Sequence, residues 1–209
     1  MKMYELYEIL REKHGEPGGQ WVLWCKRPKT NHEKETVIIE SILTQRANWK
    51  NVSIAVANLK NAGRLGLKQI LSEKDEKLQS FIRPSGFYKT KSIRLKALAG
   101  FIINECGGID SAMKIPCHEL REKLLSLSGI GDETADDILL YAFEKPVFVV
   151  DEYTRRLVKE LRLTKNFSYR HLQEFFEKGL VVKDYALYQD FHALIVINAK
   201  SSSRIKNRS

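Results

Sequence analysis

Residues 124–157 read LLSLSGIGDETADDILLYAFEKPVFVVDEYTRRL. A helical stretch runs into the turn Gly129-Ile130-Gly131. A second one follows, with Ala135, Ile138, Leu139, Ala142 and Phe143 on one apolar stripe. Glycine lacks a Cβ and accepts positive φ, so a Gly-x-Gly turn lets the backbone approach another surface closely. The helix after Gly131 points unpaired N–H groups and its positive dipole end at the turn, which suits a phosphate. Taken alone, the same turn serves equally as a plain helix stop. The strand-like run PVFVVD then ends on a single acid, Asp151, just before another helical stretch. That placement fits a plain N-cap, and it also fits a carboxylate held ready for chemistry.

Outward from this segment the chain reads as helix. TVIIESILTQRANWKNVSIAVANLK places Val37, Ile38, Ser41 and Ile42, then Val52, Ala55, Val56 and Leu59, at helical spacing. MKMYELYEILREKHG reads as an amphipathic helix. SIRLKALAGFIINECGG is helical up to a Gly-Gly stop, and HELREKLLSL, EYTRRLVKELRL, YRHLQEFFEKGL and YALYQDFHALIVINAK follow the same pattern. PVFVVD is too short to build a sheet without partners, so the expected class is all-α with short loops. The closing SSSRIKNRS reads as a frayed basic tail.

Composition narrows the function. The chain has 209 residues, 35 basic and 26 acidic, for a net charge of +9. That charge points to a polyanion such as nucleic acid as readily as to a solvated basic surface. No apolar run reaches the roughly 18 residues of a membrane span, so no membrane partner is expected. Cys25, Cys106 and Cys117 are the three cysteines. Their wide spacing argues against a disulfide framework or a cysteine-rich metal site, and for a reducing compartment. The expected location is the cytoplasm, with the nucleoid.

The ordered set LSGIG at 127–131, TA at 134–135 and VDEY at 150–153 resembles the helix-hairpin-helix DNA glycosylases of the endonuclease III superfamily. ILTQRANWKNV at 42–52 is similar to that family's helix and intercalation loop. RPSGFYKTKSIRL at 83–95 looks like its helix-loop-helix with a basic loop, and FHALIV at 191–196 like its C-terminal helix. RPSGFY, the short length and GIGDETAD look most like the small bacterial 3-methyladenine DNA glycosylases. The resemblance implies two helical lobes with DNA and a flipped base in the cleft between them. A barrel lobe would span residues 37–143, and residues 1–36 and 144–209 would make a discontinuous second lobe. It also implies a monomer acting on double-stranded DNA that contains a damaged base.

The site residues follow from the same resemblance. Asp151 is the catalytic carboxylate, stabilising positive charge on the sugar as the glycosidic bond breaks. Bifunctional relatives place a Schiff-base lysine where this chain has Glu133, which cannot form an imine. That implies a monofunctional enzyme leaving an abasic site. Glu133 itself is either a group that polarises the base or a first-turn acid favoured by the helix dipole. Many relatives hold an iron–sulfur cluster on four close cysteines. No cysteine follows Cys117, so neither a cluster nor another cofactor or metal is expected.

Trp21 and Trp24 are read as walls of a base pocket, suited to a cationic alkylated purine, or else as staples for the N-terminal segment. Lys200 matches a pocket lysine, with an exposed lysine as the alternative. Gln45 and Arg46 are the expected wedge, or a surface helix-end pair. Lys89 and Lys91, with the Gly129–Ile130–Gly131 hairpin, are expected to meet phosphates. Glu35 stands where relatives carry an aromatic. Glu40 reads as a helix-surface acid and only weakly as a functional one, because the relatives' acid falls nearer Ser41. A mismatch or oxidised-base glycosylase, or a non-catalytic helix-hairpin-helix module, is the alternative function.

Overall fold

A computed structural model describes residues 2–180 and 182–206. The chain is all-α, and no strand forms among the described residues. The helices in chain order are α1 (Met3–His14), α2 (Trp21–Trp24), α3 (Asn31–Leu43), α4 (Trp49–Asn61), α5 (Leu67–Ser72), α6 (Asp75–Ile82) and α7 (Tyr88–Gly100). They continue with α8 (Ile109–Lys114), α9 (Cys117–Leu125), α10 (Asp132–Asp137), α11 (Glu152–Glu160), α12 (Tyr169–Gly179) and α13 (Tyr185–Lys206). Wider π-helical turns, Phe101–Glu105 and Ile138–Ala142, extend α7 and α10. Residues 201–206, read from sequence as a fraying tail, continue α13, and 207–209 lie outside the described residues.

The chain forms two compact units, one of residues 1–27 and 144–209, the other of residues 28–143. The first break lies before Pro28 and not at 36/37, because α3 starts at Asn31. Thr30 caps that helix: its hydroxyl accepts from Glu33 N (3.3 Å) while Glu33 Oε2 accepts from Thr30 N (2.9 Å).

α3 is the axis of the 28–143 unit, packed against α4, α7, α8 and the π turn after α10. Every residue from Thr36 to Leu43 is buried, which is how a helix surrounded by others reads. Glu40, expected as a helix-surface acid although it stands in the apolar run TVIIESIL, is instead buried, at 5% exposed. Glu35 accepts a hydrogen bond from Leu67 N at 3.3 Å and so tethers the start of α5.

Lys91 also departs from expectation. It is 1% exposed, and its ammonium donates to the carbonyls of Leu43 (2.8 Å) and Ser85 (2.7 Å). Leu43 ends α3, where carbonyls lack intrahelical donors and a cation is favoured. Burial, and then the nearby Arg94, lowers the ammonium to about 8. A side chain so engaged cannot meet a phosphate; Lys91 fastens α7 to the end of α3.

In the other unit, α13 packs on α1 and α11, and α1 on α12. The run 144–150 is irregular, with Glu144 at φ +55° and Val147 N donating to Lys145 O (2.9 Å), and Val147 to Val150 are buried. With no neighbouring strand, its backbone is satisfied by side chains of α12. Phe148 N donates to Glu177 Oε1 (2.9 Å), Gln173 Nε2 donates to Phe148 O (2.8 Å), and Val150 N donates to the Tyr169 hydroxyl (3.4 Å). The Phe148 ring stacks on Phe176 with centroids 4.4 Å apart. This anchoring delivers Asp151 to the start of α11.

Lys91→Met keeps the aliphatic stem but strips two buried carbonyls of their donor. At about 1–3 kcal/mol for each unsatisfied group, urea unfolding should show a loss of at least about 2 kcal/mol. Unchanged stability would contradict the structural role.

Candidate active site

Asp151 is the N-cap of α11. Its backbone is extended (φ −93°, ψ −176°), its Oδ1 accepts from Thr154 N at 2.7 Å, and its carbonyl accepts from Arg155 N at 3.1 Å. The side chain is 14% exposed. Burial alone would raise its pKa. The facing His192 and the Thr154 N–H outweigh that and hold the carboxyl below the ordinary aspartate range. The carboxylate is thus ionised, fixed and nearly dry, and an ionised carboxylate can stabilise a cation in front of it.

His192, on α13, places Nε2 3.5 Å from Asp151 Oδ2. Its ring stands edge-on to Trp21 (5.7 Å, 85°) and to Phe148 (6.5 Å, 83°). Trp21 in turn stands edge-on to Trp24 (5.7 Å, 88°), and each tryptophan is 5% exposed. The two indoles are therefore packed within this unit and linked to the acid through His192. Lys200 lies with Nζ 5.7 Å from the Tyr153 ring centroid and donates to Gln20 Oε1 at 3.2 Å. Gln20, Trp21, Tyr153, His192 and Lys200 thus form a connected series on this unit beside Asp151.

The hairpin belongs to the 28–143 unit. Arg121 of α9 forms two bonds to Asp136 of α10 (Nε–Oδ1 2.7 Å, Nη2–Oδ2 3.0 Å) and one to Asp132 (2.8 Å). Asp136 is fully buried, and the hydrogen bond to it raises the Arg121 pKa, so this clamp sets the angle between the two helices. Ile130 is buried and plugs the turn from inside. Gly129 has φ +84°, and a Cβ there would lie 2.0 Å from Arg94 Nε. Gly131 is different: it is exposed, its φ is −98°, and a Cβ would meet nothing within 4 Å.

Gln45 is docked on this hairpin. Its Nε2 donates to Gly129 O (3.2 Å) and Thr134 Oγ1 (3.0 Å), and its Oε1 accepts from Arg94 Nη1 (2.7 Å). As a wedge it would first have to release all three bonds, so in this state it is a strut between loop and hairpin. The next residue, Arg46, is exposed and sits at φ +50°, an uncommon conformation for a non-glycine. Phe87 repeats this combination, 63% exposed at φ +47°. Strained, exposed side chains of this kind are commonly kept for binding. Lys89 is exposed, and Glu133 is exposed in the first turn of α10.

Residues absent from the sequence reading are therefore His192, Tyr153, Arg94, Arg121, Asp136 and Phe87. One signal was available for His192: it lies four residues after Tyr188 and three before Ile195, both buried, on a helix face that is otherwise apolar.

An all-α chain with a glycine hairpin and a capped, ionised aspartate defines a class, and similarity to known proteins agrees with it. Residues 39–181 match the family model of HhH-GPD superfamily base excision DNA repair proteins. The chain belongs to this superfamily and is a DNA glycosylase of base excision repair. It is 40% identical over 207 residues to a Methanocaldococcus jannaschii protein named as a DNA repair glycosylase, covering 98% of this chain and 90% of that one. It is 30% identical to the endonuclease III of Thermotoga maritima, over 74% of this chain and 70% of that one. The H. pylori 3-methyladenine DNA glycosylase, solved with 1,N6-ethenoadenine bound, superposes with a TM-score of 0.82 at 30% identity, covering 97% of this chain and 99% of that chain.

The two glycines should separate by experiment. Gly129→Ala collides with Arg94 and strains the backbone, so it should lower thermal stability and DNA affinity together. Gly131→Ala has room and an ordinary φ, so its melting temperature should hold while duplex affinity falls. A Gly131→Ala protein that binds DNA like the parent would show that the turn makes no close approach to phosphate.

Proposed function

We propose that this protein is a monofunctional glycosylase that hydrolyses the N-glycosidic bond of a flipped, alkylated purine such as 3-methyladenine, leaving an abasic site. The observation that carries the reading is the state of Asp151, ionised and fixed at a helix start, together with Glu133 in place of the lysine a Schiff-base mechanism needs. An N-alkylated purine already carries positive charge on its ring and leaves readily. The enzyme then has mainly to stabilise the sugar cation and admit water, which one carboxylate does.

The partner in this reading is double-stranded DNA containing the damaged base, bound by a monomer. Lys89, Arg46 and the backbone at Gly129–Gly131 grip the duplex, supported by their exposure and by the unoccupied space at Gly131. Phe87 adds an apolar contact. Trp21, Trp24, Tyr153 and Lys200 line the base side of Asp151. No iron–sulfur cluster takes part, since the chain has three cysteines. One observation favours a second reading. Glu40 is a buried acid on the central helix, and a neutral base, as in a mismatch, needs more help from an acid to leave than a cationic one does.

One panel decides between them. Base release from methylated DNA should far exceed release from G·T and 8-oxoguanine duplexes. The product strand should stay intact until alkali or heat, and borohydride should trap no protein–DNA adduct. Preferential attack on G·T would favour the second reading, and a trapped adduct would exclude a monofunctional mechanism.

A further inference from the structure

We infer that His192 is a positioning residue for Asp151 that also sets its effective charge, so that base excision is switched down as the imidazole gains a proton. The inference rests on the role proposed above for Asp151. Three observations carry it. First, Nε2 of His192 faces Asp151 Oδ2 at 3.5 Å, while the other oxygen, Oδ1, is committed to Thr154 N at 2.7 Å. The carboxylate is thus held from two sides, with its plane fixed by a helix cap and an imidazole. Second, both side chains are almost out of water, at 14% exposed for Asp151 and 4% for His192, so their interaction is only weakly screened. Third, the imidazole plane is itself fixed, edge-on to Trp21 and Phe148, and cannot swing away without unpacking the aromatic cluster.

The chemistry then depends on one proton. With His192 neutral, the pair carries a net charge of −1 and a negative potential faces the developing sugar cation. With His192 protonated, the carboxylate is neutralised within the protein, and a cation in front of it gains little.

Several charged groups on the elements around His192 have partners of their own. On α13, Asp190 pairs with Arg27 (3.0 Å). On α1, Lys13 and His14 bond Asn198, at 2.9 and 3.0 Å, and Arg11 pairs with Glu16 at 3.1 Å. On α11, Arg156 pairs with Glu152 (3.0 Å) and Arg155 donates to Phe167 O. On α12, Glu177 accepts from Phe148 N, and Lys200 of α13 lies over Tyr153. Asp151 is the acid that faces the imidazole.

A binding measurement tests this without requiring that the lesion be known. The probes are a duplex with a pyrrolidine abasic-site mimic, cationic at the sugar, and the same duplex with neutral tetrahydrofuran. At high pH the protein should prefer the cation by roughly tenfold or more, and the preference should fall towards unity as the pH is lowered and the imidazole takes up its proton. In His192→Gln, which cannot take up the proton, the preference should persist as the pH falls. His192→Asn likewise cannot take up the proton and keeps an amide donor on the Asp151 side, so it should behave likewise if the Gln variant folds poorly, with melting curves reporting folding. A wild-type preference that is real but independent of pH overturns the role of His192 and leaves the glycosylase reading standing. No preference for the cation at any pH overturns the role of Asp151, and this inference with it.

Discussion

A carboxylate withdrawn from water loses its charge unless the fold supplies a counterweight, and the candidate active site is organised around meeting that demand at Asp151. The N–H of Thr154 and the ring of His192 hold the charge against the pull of burial. Each depends on something further away. Thr154 N is available because Asp151 starts α11, and Asp151 starts α11 because the preceding irregular run is pinned by Glu177, Gln173 and Tyr169 of α12. His192 is held by Trp21 and Phe148. The strand-like run that builds no sheet thus has a clear purpose: it carries one acid into place.

The other unit works by the same economy with opposite charge. Of the two lysines in YKTK, one is spent inside and one is presented outside. Lys91 caps the end of α3, and Lys89 stays exposed. The hairpin is braced from several sides. Arg121 clamps α9 to α10, Ile130 fills the turn, and Gln45 braces the adjoining loop against it. A turn so supported pays little ordering entropy on binding.

Much of the fold was legible in the sequence, because helices of α3, α4, α11 and α13 type announce themselves by period. The hairpin was legible from its glycines and Asp151 from its place before a helix. What escaped detection depends on contacts between distant residues. Lys91 looks like surface in RPSGFYKTK. Yet it stands four and seven residues before Leu95 and Leu98, both buried, so the inward face was readable once that stripe was followed. α2 has only four residues, of which Trp21 and Trp24 are buried through tertiary aromatic contacts, with no period to see. The π turns at 101–105 and 138–142 are local widenings of helices that pattern alone continues as α. The docking of Gln45 on Gly129, across more than eighty positions of chain, leaves no local mark at all.

The central claim is electrostatic: the negative charge of Asp151, and not merely its shape, drives base release. Asp151→Asn is nearly isosteric, and asparagine caps helices as well as aspartate does, so the α11 start survives. Single-turnover release of base from methylated DNA, measured on folded protein, should fall about 10²–10³-fold, the effect of losing a preorganised contact to transition-state charge of roughly 3–4 kcal/mol. Binding to the lesion duplex should persist. Release at the parental rate by a folded Asp151→Asn protein would contradict the account.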